Sequence, residues 1–473
     1  MNIIGRIKEQ DELNQCVLSG RPEFMVVYGR RRVGKTYLIK EYFNNHFSFY
    51  ATGLLNGKMR SQLKAFKESL VNYGDEEKTI PKDWFEAFRR LQKILEKEEA
   101  YRDTLSGRRV IFLDEVPWMD TARSDFKVAL DYFWNSWASS QKDLLLIVCG
   151  SATSWIINNI LFDRGGFYNR ITRQLNIKPF SLSECEKYFE DNGFSFTRKQ
   201  IIDSYMVFGG IPYYLNLFDK RLSLVQNINN LAINPQGQLH YEYEHLFSSL
   251  FKNATNHIKI ISVISEQKWG VQRTDIVKKS GVSDGEGLTK ALKELEQCGF
   301  IRKYKNITKE KNGFFYQLID PFILFSYYFL KDEKIKDWEK FYKSAAFYTW
   351  RGNAFEIVSL CHIHQIKNAL GISGVSSDEY SWKSEQKKDG AQIDLIIDRR
   401  DDVMNICEMK YTDEEFLIVS DYEKELNHKI NLFRKEVNTD KALHITLISV
   451  SGLKKNNYSD VVLNVINGDD LFS

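Results

Sequence analysis

The chain carries Gly29-Arg30-Arg31-Arg32-Val33-Gly34-Lys35-Thr36, a G-x-x-x-x-G-K-[ST] segment set between the apolar run Phe24–Tyr28 and the helix-like Tyr37–Phe43. Glycines at this spacing let successive backbone N–H groups turn toward phosphate oxygens, and a helix start adds the positive end of its dipole. Lys35 is expected to meet the β and γ phosphates of ATP, and the Thr36 hydroxyl to ligate Mg²⁺. A second apolar run, Val110-Ile111-Phe112-Leu113, ends in Asp114-Glu115. As a strand of the same sheet it would carry two carboxylates to the carboxyl edge, where such ligands bind. Asp114 then suits the magnesium shell. Glu115 suits orienting and deprotonating an attacking water, which favours hydrolysis over simple phosphate binding.

These groups need a sheet to hold them. Phe24–Tyr28, Phe47–Thr52, Val110–Leu113, Leu144–Cys149 and Leu175–Ile177 alternate with helical patterns, which predicts an α/β core with a parallel sheet over residues 1–180. The run Leu144–Cys149 ends in Gly150-Ser151, so the Ser151 hydroxyl is placed either to sense the γ phosphate or to cap a helix. Arg170 and Arg173 are candidates for balancing transition-state charge, within this subunit or from a neighbouring copy, with a surface salt bridge as the alternative for each. From Ser181 to about Glu244 strand signals vanish and apolar residues recur at helical spacing, the pattern of a helical lid.

From about His245 the helical patterns 257–265, 272–280 and 286–298 precede two strand-like runs, Phe300-Ile301-Arg302 and Phe314–Leu318, an order that fits a winged helix over 245–318. Lys290, Lys293, Arg302, Lys303 and Lys305 are its candidate DNA contacts, with a solvated face as the alternative. Residues 319–345, which include the charged Lys331–Lys340, read as a junction to a last domain over 346–473. There, Gly390–Asp398 and Asn405–Tyr411 predict a hairpin turning at Arg399–Asp402. Centred on Asp401, it sets residue i opposite residue 802 − i, so Asp394 faces Glu408 and Gln392 faces Lys410. Facing Cβ atoms lie about 4.5 to 5.5 Å apart, close enough for two carboxylates to share Mg²⁺ or Mn²⁺. Lys410, on the same face as Glu408, would orient a nucleophile.

Composition narrows the setting. The chain has 473 residues with 66 Lys+Arg against 63 Asp+Glu, a net charge of +3, so any nucleic-acid contact must be local. At 43% hydrophobic and 14% aromatic residues it buries large cores, which excludes global disorder. Six cysteines without a Cys-x-x-Cys spacing exclude a zinc ribbon and a dithiol redox site. The apolar stretch Phe314–Leu330, broken by Asp320 and Pro321, falls short of the roughly 20 residues that span a bilayer. With no signal-like N-terminus, a cytoplasmic protein is expected. His362 and His364 read as ordinary polar residues rather than metal ligands.

Ile4-Gly5-Arg6, Tyr28 through Thr36, Leu113-Asp114-Glu115 and Gly209-Gly210-Ile211-Pro212-Tyr213-Tyr214-Leu215 together resemble the archaeal-type ATPase family, AAA+-related P-loop ATPases. Phe315–Phe322 is similar to the junction before that family's C-terminal domain, so the resemblance covers nearly the whole chain. It implies an ASCE-type P-loop NTPase core with a helical lid, then a winged helix and a C-terminal domain of uncertain role, and places Gly5-Arg6 near the adenine. The C-terminal hairpin resembles the PD-(D/E)xK nuclease core, which implies that Glu356, from an upstream helix, joins Asp394 and Glu408 as metal ligands. The proline before the first Asp of that pattern is missing, with Ile393 in its place, and Glu-x-Lys also recurs at Glu385 and Lys387. The expected partners are ATP and DNA, with homo-oligomers open and no membrane. The alternative is an ATP-controlled switch or scaffold whose C-terminal domain cuts nothing; a P-loop kinase ranks last for want of an acceptor pocket.

Overall fold

The run Glu-Phe-Met-Val-Val-Tyr is apolar throughout its middle, and the strand it forms, β1 (Glu23–Tyr28), is covered on both faces. Strands buried in this way belong to parallel sheets flanked by helices. With β2 (Phe49–Thr52), β3 (Arg109–Asp114), β4 (Leu144–Gly150) and β5 (Arg173–Asn176) it makes a five-stranded sheet of order β2-β3-β4-β1-β5, all pairs parallel. Because β4 separates β1 from β3, the glycine-rich loop after β1 and the acidic pair at the end of β3 face each other across one strand's width. The computed structural model describes residues 3–162, 166–167, 169–251, 253–307, 314–331, 335–384, 386 and 389–473, and the chain divides into two compact units, Met1–Lys178 and Pro179–Ser473. Glu385 and Lys387 lie outside the described residues.

In the first unit the helices include α1 (Ile7–Leu18), α2 (Lys35–Tyr42), α3 (Met59–Asn72), α4 (Trp84–Leu95), the short α5 (Val116–Met119), α6 (Phe126–Ser136) and the short α7 (Thr153–Ile156). Helix α4 starts where the Asp83 carboxylate accepts the Glu86 amide at 2.8 Å, while Glu86 reaches back to the Lys82 amide at 2.9 Å. Such a cap is worth about 1 kcal/mol. Trp84 follows, its ring 5.3 Å from Phe66 and 4.8 Å from Phe126. These rings join Phe24, Phe49, Phe88, Phe133 and Trp134 in one core cluster with the sheet. Burying each such side chain contributes about 1.5–3 kcal/mol, enough to hold the sheet's edge rigid beneath the loops it carries.

The second unit begins with two helices, Leu182–Asp191 and Arg198–Phe208, each opened by a capping box, Ser181 with Glu184 and Thr197 with Gln200. Helix Thr255–Ser265, strand β6 (Val271–Gln272), helices Arg273–Ser280 and Glu286–Gln297, then β7 (Ile301–Lys305) and β8 (Phe314–Leu318) follow, and the strands form an antiparallel sheet β6-β8-β7. The sequence reading has β7 and β8 but not β6, which at two residues has no alternation to detect. Residues 319–345 are not a bare junction. Pro321–Phe325 is a buried helical turn, and Trp338 sits 5.3 Å from Phe325 and 5.2 Å from Phe329, inside an aromatic core that the flanking charges of the sequence conceal. The lid, three-helix, junction and C-terminal segments therefore fall in one unit.

The last part holds helix Ala345–Cys361, β9 (Ser377–Lys383), β10 (Gln392–Arg399), β11 (Val403–Lys410), β12 (Phe416–Leu417), helix Ser420–Val437, β13 (Ala442–Ser449), β14 (Leu453–Lys454) and β15 (Asn464–Asn467). The main sheet runs β15-β13-β11-β10-β9, antiparallel from β9 to β11 and parallel beyond; β12 and β14 pair separately. Among the described residues no helix is long and apolar enough to cross a membrane. Five of the six cysteines are buried, as small core groups would be; Cys361 is exposed.

Candidate functional site

The loop after β1 takes its shape from its glycines. Gly29 has φ +143°, and a Cβ there would stand 2.2 Å from the Ile177 carbonyl oxygen; Arg32 and Gly34 also have positive φ. Arg30 and Val33 are buried, and Arg31 and Arg32 half-buried. The buried Lys35 opens α2, and its Nζ donates to the carbonyls of Gly29 (2.9 Å) and Arg30 (2.8 Å). Its ammonium is thus folded over the loop it belongs to, held by neutral acceptors that phosphate oxygens would outcompete through charge.

Thr36 Oγ1 donates to Asp114 Oδ2 at 2.9 Å, which ties the loop to the end of β3. A hydroxyl and a carboxylate side by side are hard oxygen donors that suit Mg²⁺. Asp114 Oδ1 accepts the Glu115 amide at 3.0 Å, and Glu115 itself adopts φ +49° as the residue before α5. Space for that turn comes from Gly53, where a Cβ would lie 2.5 Å from the Glu115 carbonyl oxygen. The Glu115 side chain returns toward β4, and its Oε2 accepts both the amide (3.0 Å) and the hydroxyl (2.9 Å) of Ser151. Ser151 is therefore the holder of Glu115; it is not the residue that caps the next helix, since Ala152 stands there. Burial raises the Glu115 carboxyl above its ordinary range, Lys35 and the Ser151 donors oppose this, and Asp114 adds to it. A carboxylate so raised is a better proton acceptor than a solvated one.

In the C-terminal sheet the hairpin register is the one read from sequence, from Leu395 opposite Cys407 to Asp398 opposite Met404. The ladder ends at Leu395 and Cys407, one residue short of Asp394 and Glu408, and β10 shifts register against β9 between Ile393 and Ile396. The Asp394 carbonyl is taken by Ser381 Oγ (2.6 Å) and by the Arg302 guanidinium (3.2 Å). Glu356 and Glu408 are taken up in ion pairs, and Asp394 Oδ1 accepts Gln392 Nε2 at 2.8 Å. Glu356 meets Lys268 at 2.6 Å, Glu408 pairs with Lys429 and accepts the Tyr422 hydroxyl at 3.2 Å, and Lys410 is 3.9 Å from Glu408. Burial, then the charge of Asp394, pushes Glu356 up to about 8 against the pull of Lys268. Among the described residues no three His, Cys, Asp or Glu side chains are grouped to hold a metal, so the expected ligation by Glu356, Asp394 and Glu408 does not fit this arrangement. Of the candidate DNA contacts, Lys290, Lys293, Lys303 and Lys305 are exposed, whereas Arg302 turns inward to Gln317, Ser381 and Asp394. His362 is buried as an ordinary polar group: its Nε2 accepts the Leu182 amide at 3.0 Å and its Nδ1 lies 2.7 Å from the Val358 carbonyl.

Residues 4–218 match the family model described as the ATPase domain predominantly from Archaea. Over this stretch the chain is similar to the archaeal-type ATPase domain. The ATPase domain takes in the glycine-rich loop, the acidic pair, Ser151 and the Gly209-Gly210-Ile211-Pro212 turn, and with it come ATP binding and hydrolysis. The chain is also similar to an uncharacterised protein of Methanocaldococcus jannaschii, 26% identical over 340 residues, 69% of this chain and 68% of the relative. Among solved structures it is similar to a Walker-type ATPase of Pyrococcus abyssi (17% identity, 69% of this chain and 97% of that one, TM-score 0.46). It is likewise similar to the ORC2 protein of Aeropyrum pernix (12% identity, 70% and 94%, TM-score 0.45).

Within the ATPase domain one expectation changes. Arg170 is exposed and precedes β5, where the Thr172 amide bonds the carbonyl of Phe24 at the start of β1. At about 3.3 Å per residue, that edge of the sheet is some 16 Å from the loop after Tyr28, so Arg170 is not brought to its own nucleotide site. Arg173 faces Glu12 at 3.6 Å. Arg6, read by analogy as lying near the adenine, donates to the Val33 carbonyl at 3.0 Å and so braces the loop itself. Sequence reasoning missed Gly53 and the pairing of Ser151 with Glu115. The signal for Gly53 was a glycine directly after the strand Phe49–Thr52.

Proposed function

We propose that this ATPase domain couples ATP hydrolysis to a winged-helix module over 245–318 and a nuclease-like module over 346–473 that together act on DNA in the cytoplasm. The observation that carries the reading is the hydrogen bond between Thr36 and Asp114, which joins the phosphate loop to the acidic strand with Glu115 next in the chain. In this scheme ATP draws Lys35 Nζ from the carbonyls of Gly29 and Arg30 to the phosphate oxygens. Glu115, fixed by Ser151, orients a water and accepts its proton as the water oxygen bonds the γ phosphorus and the bond to the β-phosphate oxygen breaks. Mg²⁺, held by Thr36 and Asp114, supplies charge neutralisation when bound. In this reading Arg170, which is exposed, serves a neighbouring copy of the chain in a homo-oligomer.

The order helix, strand, helix, helix, strand, strand over 255–318 supports the winged helix, and a helix, three antiparallel strands, a helix and a parallel strand support the nuclease-like module. A second reading, an ATP-controlled switch whose C-terminal module cuts nothing, is favoured by the ammonium groups seated on Glu356 and Glu408. Turnover of ATP tests the first half: Lys35→Ala should lose nucleotide binding, and Glu115→Gln should bind but hydrolyse slowly. Normal turnover in Glu115→Gln would overturn its role. Plasmid cleavage with divalent metal, lost in Asp394→Ala and in Lys410→Ala, separates the two readings of the C-terminal module.

A further inference from the structure

Helix α3 buries Leu63, Phe66 and Leu70 in the core cluster of the first unit, and with them a glutamine, since Gln62 is only 2% exposed. A buried amide costs free energy unless its donors and acceptor are taken. Those of Gln62 are taken by one loop. Its Oε1 accepts the Leu54 amide at 2.9 Å, and its Nε2 donates to the Leu54 carbonyl at 2.7 Å and to the Gly57 carbonyl at 3.3 Å. The Gly57 amide returns to the same Leu54 carbonyl at 3.1 Å. The loop 53–57 after β2 is thus closed around one side chain, while the Leu54 and Leu55 side chains are exposed. An apolar residue would fill this helix position without the desolvation cost, so the contribution of the amide lies in the loop it closes.

The first residue of that loop meets the acidic pair. The Gly53 amide donates to the Asp114 carbonyl at 2.9 Å, one step beyond the last rung of β2 on β3, where Thr52 stands opposite Asp114. A Cβ on Gly53 would lie 2.5 Å from the Glu115 carbonyl oxygen and 3.0 Å from Trp118 Cβ, so the loop backbone packs directly on the turn that Glu115 opens. Glu115 makes that turn with φ +49°, a conformation that a residue with a side chain keeps only where its surroundings impose it. Ser151 holds its carboxylate, and Gly53 backs its main chain.

We propose that Gln62 is a positioning residue for ATP hydrolysis: by closing the 53–57 loop it seats Gly53 against the main chain of Glu115 and so fixes where the carboxylate stands. This rests on the reading of Glu115 as the group that orients the attacking water, and adds a residue that acts through it.

The test is ATP turnover by the full chain, steady-state and single-turnover, in Gln62→Met, which keeps length and apolar packing and removes the bonds to Leu54 and Gly57. The kcat should fall at least about fivefold with KM for ATP within about twofold of wild type, because Gln62 makes no bond to the phosphate loop. In a Glu115→Gln background the same substitution should bring no further fall, since the carboxylate it positions is gone. Gly57→Ala perturbs the same bonds from the other side: its added Cβ would stand 2.6 Å from Gln62 Nε2, and the core position stays intact. It should give the same pattern, and is read in place of Gln62→Met if that protein melts early. Wild-type kcat in the folded variants, a loss carried by KM alone, or an equal fall in both backgrounds overturns the proposal, the last because it would mark a role in the fold only. Normal turnover in Glu115→Gln itself would instead defeat the reading of Glu115, so the two failures are distinguishable.

Discussion

Glu115 and Ser151 are joined twice: one carboxylate oxygen accepts both the Ser151 amide at 3.0 Å and its hydroxyl at 2.9 Å. The two residues directly follow adjacent strands, β3 and β4, and the sheet sets their spacing. In Ser151→Ala the amide remains and the hydroxyl is lost. A hydrogen bond to a charged group is worth about 1.5–3 kcal/mol, so kcat should fall about tenfold or more while KM for ATP stays near wild type. Because the lost donor favoured the ionised carboxylate, the acid limb of the pH–rate profile should move to higher pH. Steady-state ATPase rates across pH decide this; an unmoved acid limb would mean that Ser151 does not act through Glu115.

The two loop glycines should differ in how they fail. At Gly29 a methyl group meets the Ile177 carbonyl at 2.2 Å, so Gly29→Ala must displace the backbone between loop and β5. At Gly34 no atom lies within 4 Å of an added Cβ, and the cost is the strain of φ +89° alone. That strain amounts to about 1–2 kcal/mol. Urea unfolding of the full chain should show the larger loss in Gly29→Ala, and a larger loss in Gly34→Ala would contradict the close approach.

Much of this arrangement was legible because chemistry and regular structure coincide in short stretches. Gly29 to Thr36 sits between a strand and a helix, and Asp114-Glu115 ends a strand of apolar residues, so loop and acids could be placed from local pattern alone. The hairpin register in the C-terminal sheet followed from a short charged turn. What stayed hidden is contact between residues distant in sequence: Ser151 on Glu115, Lys268 on Glu356, Lys429 on Glu408. No periodicity encodes such pairs. The register shift next to Asp394 was equally invisible, since it depends on β9 and leaves the alternation of β10 intact.

Arg302 and its neighbours on β7 give a prediction about nucleic acid. Residues alternate along the strand, so Lys303 and Lys305 are exposed while Arg302 points to Gln317 and Ser381. Each lysine that neutralises a phosphate should contribute about one unit to the slope of log affinity against log salt. Lys303→Ala and Lys305→Ala should each weaken binding of duplex DNA and flatten that slope by about one, whereas Arg302→Ala should lower stability and leave the slope unchanged. Fluorescence anisotropy at several salt concentrations measures it; equal slopes in all three variants would remove β7 from the DNA-binding face.

His362 should add to the second unit's sensitivity to acid. Burial depresses its imidazole to about 4 from an ordinary 6.5, with only the Val358 carbonyl opposing. Its neutral Nε2 accepts the Leu182 amide, one of the free donors at the start of helix Leu182–Asp191. Protonation would convert that acceptor into a donor facing a donor. The unfolded chain takes up the proton first, so this contribution is fully present above about pH 6.5 and is lost progressively as pH falls toward about 4. With about 1.4 kcal/mol per unit of pKa, the loss approaches 3 kcal/mol at the acid end. In His362→Gln the amide side chain retains an acceptor that does not titrate, so stability at pH 7 should be modestly lower and that part of the acid slope should vanish. Urea unfolding at pH 7 and at pH 4.5, wild type against His362→Gln, measures the difference. The same slope in both proteins would show that His362 is not the group that carries it.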